Sequence, residues 1–176
     1  MKNKNLWEDI FRPIVVLSCI CLVCSLLLGI TNQLTAPVIK ANQDKAANEA
    51  YYAVLPTAEG FEELTSTQAG VTKVLKAQND VGYVISAEAQ GYGGMVPVVV
   101  AFGQDGNITC VTFPENSETA GLGQKIRDDS FAAQFAGKAS EAMTINDIDA
   151  VPSATISSKA AVDAINNAIA AYKEVA

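Results

Sequence analysis

The chain has 176 residues, a net charge of −7 and no histidine. The lack of histidine excludes His-dependent triads, His metal sites and His general bases, and the negative charge excludes nucleic acid as a partner for the bulk of the protein. The length suits one domain plus an additional segment.

The N-terminal part of the chain is apolar. Residues 14–30 carry no charged side chain, and the uncharged stretch extends to residue 39. Because about 20 apolar residues are enough to cross the hydrocarbon of a bilayer, we predict a transmembrane helix over residues 13–33. A cleaved signal peptide is the alternative, which the length of the apolar run and a poor cleavage pattern disfavour.

Charges before this predicted helix set its orientation. Residues 1–12 carry Lys2, Lys4 and Arg12 and a net charge of +1, and no dense basic cluster follows the apolar run. Since Lys and Arg are enriched on the cytoplasmic side, we expect residues 1–12 to lie in the cytoplasm and the C-terminal domain to lie outside the cell membrane.

Three of the four cysteines, Cys19, Cys21 and Cys24, fall inside the predicted transmembrane helix. They could hold an iron–sulfur cluster only with ligands from other chains, and we interpret them as small packing residues. Cys110 is alone in the outer domain, so it is predicted to be either buried or a free thiol, and no metal site is expected.

Residues 34–56 are rich in Ala, Asn, Gln and Lys and contain no glycine. They predict a stalk helix that leaves the membrane, with Pro37 as the place of an expected kink. The remaining residues 57–176 are predicted to form one extracytoplasmic domain, which begins with a loop or short helix up to Thr67.

The middle of this domain changes to a period of two, and its runs either alternate apolar and polar residues or are rich in β-branched residues, which is typical of strands. Turn residues separate the runs at Asn79-Asp80 and at Asp105-Gly106. The pattern predicts an antiparallel meander of four strands over residues 71–78, 81–90, 95–102 and 108–115.

Two helices complete the predicted domain. Residues 128–138 suggest a short helix with Asp128 or Asp129 as N-cap, and a longer helix is expected from Ser158 to about Val175, with Ser157 or Ser158 as N-cap. Its apolar residues recur every three or four positions and should pack on the sheet; they are Val162, Ile165, Ile169 and Tyr172. The predicted fold class is α+β.

Two glycine-rich segments could approach a ligand closely. "GYGG" contains Tyr92, Gly93 and Gly94, and "ETAGLG" contains Glu118, Thr119, Gly121, Leu122 and Gly123. Taken alone, "GYGG" favours an ordinary glycine-rich hairpin, and "ETAGLG" is a weak signal that an irregular loop also explains.

Thr155 precedes the C-terminal helix, whose first turn presents unpaired N–H groups and the positive end of the helix dipole. A phosphate on or beside Thr155 would be stabilised there. A plain Ser/Thr-rich cap explains the same residues equally well, although helix capping does not require Asp149 six positions earlier.

"DAVPSATISS" resembles the flavinylation motif of bacterial FMN-binding domains, Asp-x-x-(Ser/Thr)-Gly-Ala-(Thr/Ser), at Asp149, Ala154 and Thr155. Pro152 and Ser153 stand where the motif has Ser/Thr and Gly. "GYGG", "DGNI" and "ETAGLGQKI" follow the order of segments in the same family. With one N-terminal transmembrane helix, the whole plan resembles the G subunits of Rnf ion-translocating ferredoxin:NAD oxidoreductase complexes, and the related C subunit of Na+-pumping NADH:quinone oxidoreductases.

The resemblance implies that a flavin transferase attaches FMN from FAD to Thr155 through a phosphoester, with Asp149 as a recognition residue. It implies that the chain carries electrons between other subunits of a membrane complex and is not a complete enzyme. The resemblance also implies residues that contact the flavin ring system: Tyr92, Gly93, Gly94, Glu118, Thr119, Gly121, Leu122 and Gly123. It implies a second group that holds the phosphate and the ribityl chain: Ser153, Ala154, Ser157 and Ser158.

Two other functions remain compatible with the residues. The first is a membrane-anchored scaffold or interaction module without a redox cofactor, in which the glycine segments serve as turns. The second is a flavin-bearing reductase subunit that acts on extracellular substrates, although the length after the stalk leaves little room for a second catalytic domain.

Overall fold

The computed structural model describes residues 11–176, without the side chains of residues 40–47. The chain divides into two units at Ala46 and Ala47. The first ten residues of the predicted cytoplasmic segment lie outside the described residues.

The predicted transmembrane and stalk helices form a single helix, α1, Arg12–Val54, with Pro37 inside it. Its segment Arg12–Ile39 is long and apolar enough to cross a membrane. The large apolar side chains of that segment are exposed, as expected for side chains that face lipid. Cys19, Cys21 and Cys24 are likewise exposed and unbridged.

The C-terminal unit contains a five-stranded antiparallel sheet in which each strand pairs with the next along the chain. The four predicted strands are confirmed. The strands are β1 Phe61–Leu64, β2 Val71–Ala77, β3 Gly82–Gln90, β4 Met95–Gly103 and β5 Ile108–Thr112.

The prediction of a loop or short helix up to Thr67 is wrong for Phe61–Leu64, which form strand β1. This strand pairs with β2 from Phe61 opposite Ala77 to Leu64 opposite Val74. Its four residues include exposed Glu62 and Glu63, and short charged strands are typical of sheet edges. Because β1 lacks β-branched residues, its strand propensity is weak, and pairing with β2 decides its conformation.

The helices of this unit are α2, Asp129–Ala132, and α3, Thr155–Val175. Asp128 lies at the N-cap position of α2 as predicted, but its side chain makes no capping hydrogen bond. The helix predicted up to residue 138 ends at Ala132. Two short 3-10 helices, Gly123–Arg127 and Ile145–Asp147, lie in the connections.

The core forms on both faces of the sheet. The apolar stripe predicted for α3 is buried on one face, where the Tyr172 ring stacks on Phe102 with centroids 4.5 Å apart. The other face packs against Tyr51 and Val54 at the end of α1. This packing leaves the N-terminus of α3 at the edge of the domain, beside the β3–β4 turn.

Cys110 lies on β5 and is half-buried, with its thiol free. Burial raises the pKa of this thiol above its usual value, because a thiolate is poorly solvated there. The thiol is therefore protonated at neutral pH and weakly nucleophilic.

Candidate functional site

A cavity of about 520 Å³ lies at the N-terminus of α3. Such a volume is typical of sites for small molecules and cofactors. The turn between β3 and β4, the loop that follows β5 and the first turn of α3 supply the walls. The lining residues are Tyr92, Glu118, Thr119, Leu122, Gly123, Ser153, Ala154, Thr155, Ile156 and Ser157.

Helix α3 begins at Thr155, with Ala154 at the N-cap position, so the prediction of Ser157 or Ser158 as N-cap is wrong. Ser157 Oγ donates a hydrogen bond to Glu118 Oε2. Ser158 Oγ accepts a hydrogen bond of 3.0 Å from the Val151 N–H. Because both hydroxyls have tertiary partners, neither caps the helix.

The start of α3 is therefore open to a ligand. The Ser158 N–H makes a helical bond of 2.9 Å to the Ala154 carbonyl, and Ala154 makes no side-chain capping bond. Within the described part of the chain, the N–H groups of residues 155–157 have no acceptor. These N–H groups and the helix dipole favour an anion, and the exposed Thr155 hydroxyl lies on the first residue.

Glu118 joins the three segments that build the cavity. Its side chain is 3% exposed, and Oε1 accepts a 2.9 Å hydrogen bond from the Gly93 N–H. A Cβ added at Gly123 would lie 2.7 Å from Glu118 Oε2, and one at Gly91 would lie 2.4 Å from Oε1. A side chain at either position would meet the carboxylate, which would then have to shift.

Three exposed apolar side chains surround the opening: Tyr92, Leu122 and Ile156. Together they offer an aromatic and aliphatic surface to a flat ring. Sequence reasoning missed Ile156. The sequence did offer a signal for it. Ile156 lies outside the apolar stripe of α3 that packs on the sheet, so packing on the sheet does not account for an apolar residue there.

The cavity brings together nine of the predicted site residues: Tyr92, Glu118, Thr119, Leu122, Gly123, Ser153, Ala154, Thr155 and Ser157. Gly93, Gly94, Gly121 and Ser158 lie nearby in the same segments without lining it. The side chain of Asp149 is exposed. The Gln134 side chain accepts a 2.7 Å hydrogen bond from the Asp149 N–H and donates one of 3.2 Å to the Asp149 carbonyl. Gln134 thus holds the chain that leads to Thr155.

Ser153 has a φ of +63°, in the left-handed region that favours glycine. Replacing Ser153 with glycine is expected to stabilise the domain by about 0.5–1 kcal/mol, since relief of left-handed strain exceeds the entropy that glycine loses on folding. Pulse proteolysis of the full-length chain in urea measures the change.

Ser130→Gly is the matched control for Ser153→Gly. Ser130 lies in α2 without a positive φ, so the same change there is expected to destabilise by about 0.5–1 kcal/mol. Equal effects of the two substitutions would contradict strain at Ser153.

Comparison with known proteins identifies the family of this chain. The chain matches the FMN-binding domain family over residues 91–170 and the RnfG N-terminal region over residues 1–54. It is 33% identical to the G subunit of the ion-translocating oxidoreductase complex of Methanosarcina acetivorans, over 92% of this chain and 94% of the relative.

Two further relatives cover nearly the whole chain. The G subunit of the Na(+)-translocating ferredoxin:NAD(+) oxidoreductase complex of Acetobacterium woodii is 30% identical, over 96% of this chain and 94% of the relative. The proton-translocating counterpart of Clostridium ljungdahlii is 28% identical, over 96% and 92%. The chain therefore belongs to the family of G subunits of ion-translocating oxidoreductase complexes, and it contains an FMN-binding domain.

Proposed function

We propose that this chain is a membrane-anchored electron carrier that holds FMN covalently on Thr155 within an ion-translocating ferredoxin:NAD oxidoreductase complex. One observation carries the proposal: the exposed Thr155 hydroxyl lies at the uncapped N-terminus of α3 and lines a cavity with an apolar rim. The FMN-binding domain match includes this site, and the names of the relatives supply the complex.

The residues present fit the chemical parts of FMN. The N–H groups of residues 155–157 suit the phosphate, which keeps one negative charge as a diester. Tyr92, Leu122 and Ile156 offer apolar contacts to the ring, and the Thr119 hydroxyl is available for polar atoms at its edge. When bound, the flavin supplies the redox chemistry, and the chain supplies binding, orientation and electrostatics.

Attachment requires a flavin transferase as a second partner. With FAD as donor, a bond forms between Thr155 Oγ and the phosphorus of the FMN half, the pyrophosphate bond breaks, AMP leaves and the hydroxyl proton is released. Thr155 and Asp149 are both exposed, so a transferase can reach both. A covalent link also suits an extracytoplasmic domain, because lost FMN could not be replaced from the cytoplasm.

The proposed location is the cell membrane, crossed once by α1. The segment Arg12–Ile39 is long and apolar enough for this, and the basic residues before it favour a cytoplasmic N-terminus. Protease added to intact cells tests the orientation, since it should digest residues 45–176. Full protection of those residues would contradict an extracytoplasmic domain.

Replacing Thr155 with valine is expected to abolish covalent flavin, because valine keeps the shape of threonine but has no hydroxyl to esterify. The measurement is flavin fluorescence of the full-length chain on a denaturing gel after co-expression with a flavin transferase. Thr155→Ser retains a hydroxyl and should retain the fluorescent band.

Thr65→Val makes the same chemical change at an exposed position outside the site and should leave the band unchanged. A fluorescent band in Thr155→Val would refute Thr155 as the attachment residue. A wild-type chain from its native host with no band would refute covalent attachment altogether.

A further inference from the structure

We infer that the buried Glu118 carboxylate lowers the reduction potential of the flavin, by placing a fixed negative charge against the cavity, and positions the two walls of that cavity. The inference rests on the proposed function and assigns to Glu118 a role beyond contact with the cofactor. Glu118 is a positioning and electrostatic residue, because the electron transfer itself does not pass through its side chain.

The environment of Glu118 is unusual for a carboxylate. Its side chain is 3% exposed, and buried carboxylates are normally paired with a cation. Among the described residues, no lysine or arginine forms an ion pair with it. Its oxygens accept hydrogen bonds from the Gly93 N–H and the Ser157 hydroxyl, so these two donors take the place of a cation partner.

The same two hydrogen bonds fix the geometry of the cavity. Gly93 follows Tyr92 in the β3–β4 turn, and Ser157 lies two residues after Thr155 in α3. Glu118 thus links the wall that carries Tyr92 to the helix turn that carries the attachment residue. The carboxylate also lies close to Gly91 and Gly123, where an added Cβ would meet it.

The charge acts on reduction through Coulomb repulsion. An electron delivered to the bound flavin, with dithionite as the reductant, adds negative charge to the cavity unless a proton accompanies it. A carboxylate that is itself buried disfavours that added charge, because water screens it little. The flavin should therefore be harder to reduce in the wild-type chain than in a variant without the charge.

Glu118→Gln isolates the charge from the positioning role. The glutamine amide can accept from the Gly93 N–H through its oxygen and donate to Ser157 Oγ through its nitrogen, so both links survive. Dithionite titration of the flavin-loaded, full-length chain against reference dyes is expected to show a more positive midpoint potential. We expect about a tenfold change in the equilibrium constant, or about 59 mV for a one-electron step.

Glu115→Gln is the matched control, because Glu115 is exposed on the same loop and its charge is screened by water. Its midpoint potential should equal that of the wild type. If Glu118→Gln fails to fold, Glu118→Met removes the charge together with both hydrogen bonds at similar volume, and a more positive midpoint potential is expected there too.

The outcomes separate this inference from the proposed function. A covalent flavin whose potential is unchanged or more negative in Glu118→Gln would overturn the inference and leave the proposed function intact. Equal positive shifts in Glu118→Gln and Glu115→Gln would also overturn it, since the effect would then not need a buried charge. A wild-type chain that carries no flavin would overturn both.

Discussion

Replacing Gly93 with alanine is expected to destabilise the domain by about 1–3 kcal/mol and to reduce flavin attachment severely. An added Cβ would lie 2.3 Å from the Ser117 carbonyl oxygen and 3.0 Å from its carbon. Both are backbone atoms, so no side-chain rotation can relieve the contact. The β3–β4 turn must move away from the loop after β5, which breaks the hydrogen bond from the Gly93 N–H to Glu118.

Two measurements check this result on the full-length chain: pulse proteolysis in urea for stability and in-gel fluorescence for covalent flavin. Gly94→Ala is the control, because a Cβ at Gly94 comes no closer than 3.5 Å, to the Ser117 Cβ. That variant should stay within about 0.5 kcal/mol of the wild type. Equal behaviour of the two variants would show that the turn does not need the close approach at Gly93.

Replacing Phe102 with alanine is expected to cost about 3–5 kcal/mol in the free energy of unfolding. Phe102 is fully buried on β4, and its ring stacks on Tyr172 of α3 with an angle of 14° between the planes. The substitution leaves a cavity between sheet and helix and removes the aromatic contact. Since a small domain has only about 5–15 kcal/mol of stability, pulse proteolysis should show a large loss of protected protein.

Met95→Ala is the control for this second prediction. Met95 lies at the other end of β4 and is 42% exposed, so its truncation leaves no closed cavity and should cost about 1 kcal/mol or less. A loss in Phe102→Ala as small as the loss in Met95→Ala would mean that α3 does not depend on this contact with the sheet.

Local patterns were sufficient to predict the main elements of the fold. The uncharged run before residue 40 predicts a helix that suits a membrane because hydrophobicity and length alone decide that property. Alternation with a period of two and runs of β-branched residues predict β2 to β5, because both patterns favour extended strands. The stripe from Val162 to Tyr172 predicts which side of α3 packs on the sheet.

The residue types around Thr155 also carried a usable signal. A hydroxyl before a long helix lies near unpaired N–H groups whatever the rest of the fold does, so a preference for phosphate could be argued from the sequence. The start of α3 could not be located in the same way. Ser157 and Ser158 are good caps by type, but Glu118 and the Val151 N–H use their hydroxyls, and Glu118 is distant in sequence.

Other features depend on contacts between distant segments. Strand β1 has weak propensity and exists through its pairing with β2, and the left-handed conformation of Ser153 is imposed on a residue that disfavours it.

The sequence by itself determined an apolar helix, a strand meander and an amphipathic last helix, because each of these depends on neighbours within a few positions. The candidate attachment residue, Thr155, came from the resemblance of its segment to a flavinylation motif. The tertiary structure alone decided that Gly93, Gly123 and Ser157 meet at one buried carboxylate. That arrangement requires the β3–β4 turn, the segment after β5 and the first turn of α3 to pack together. Contacts between segments so far apart in the chain produce no periodic pattern in the sequence.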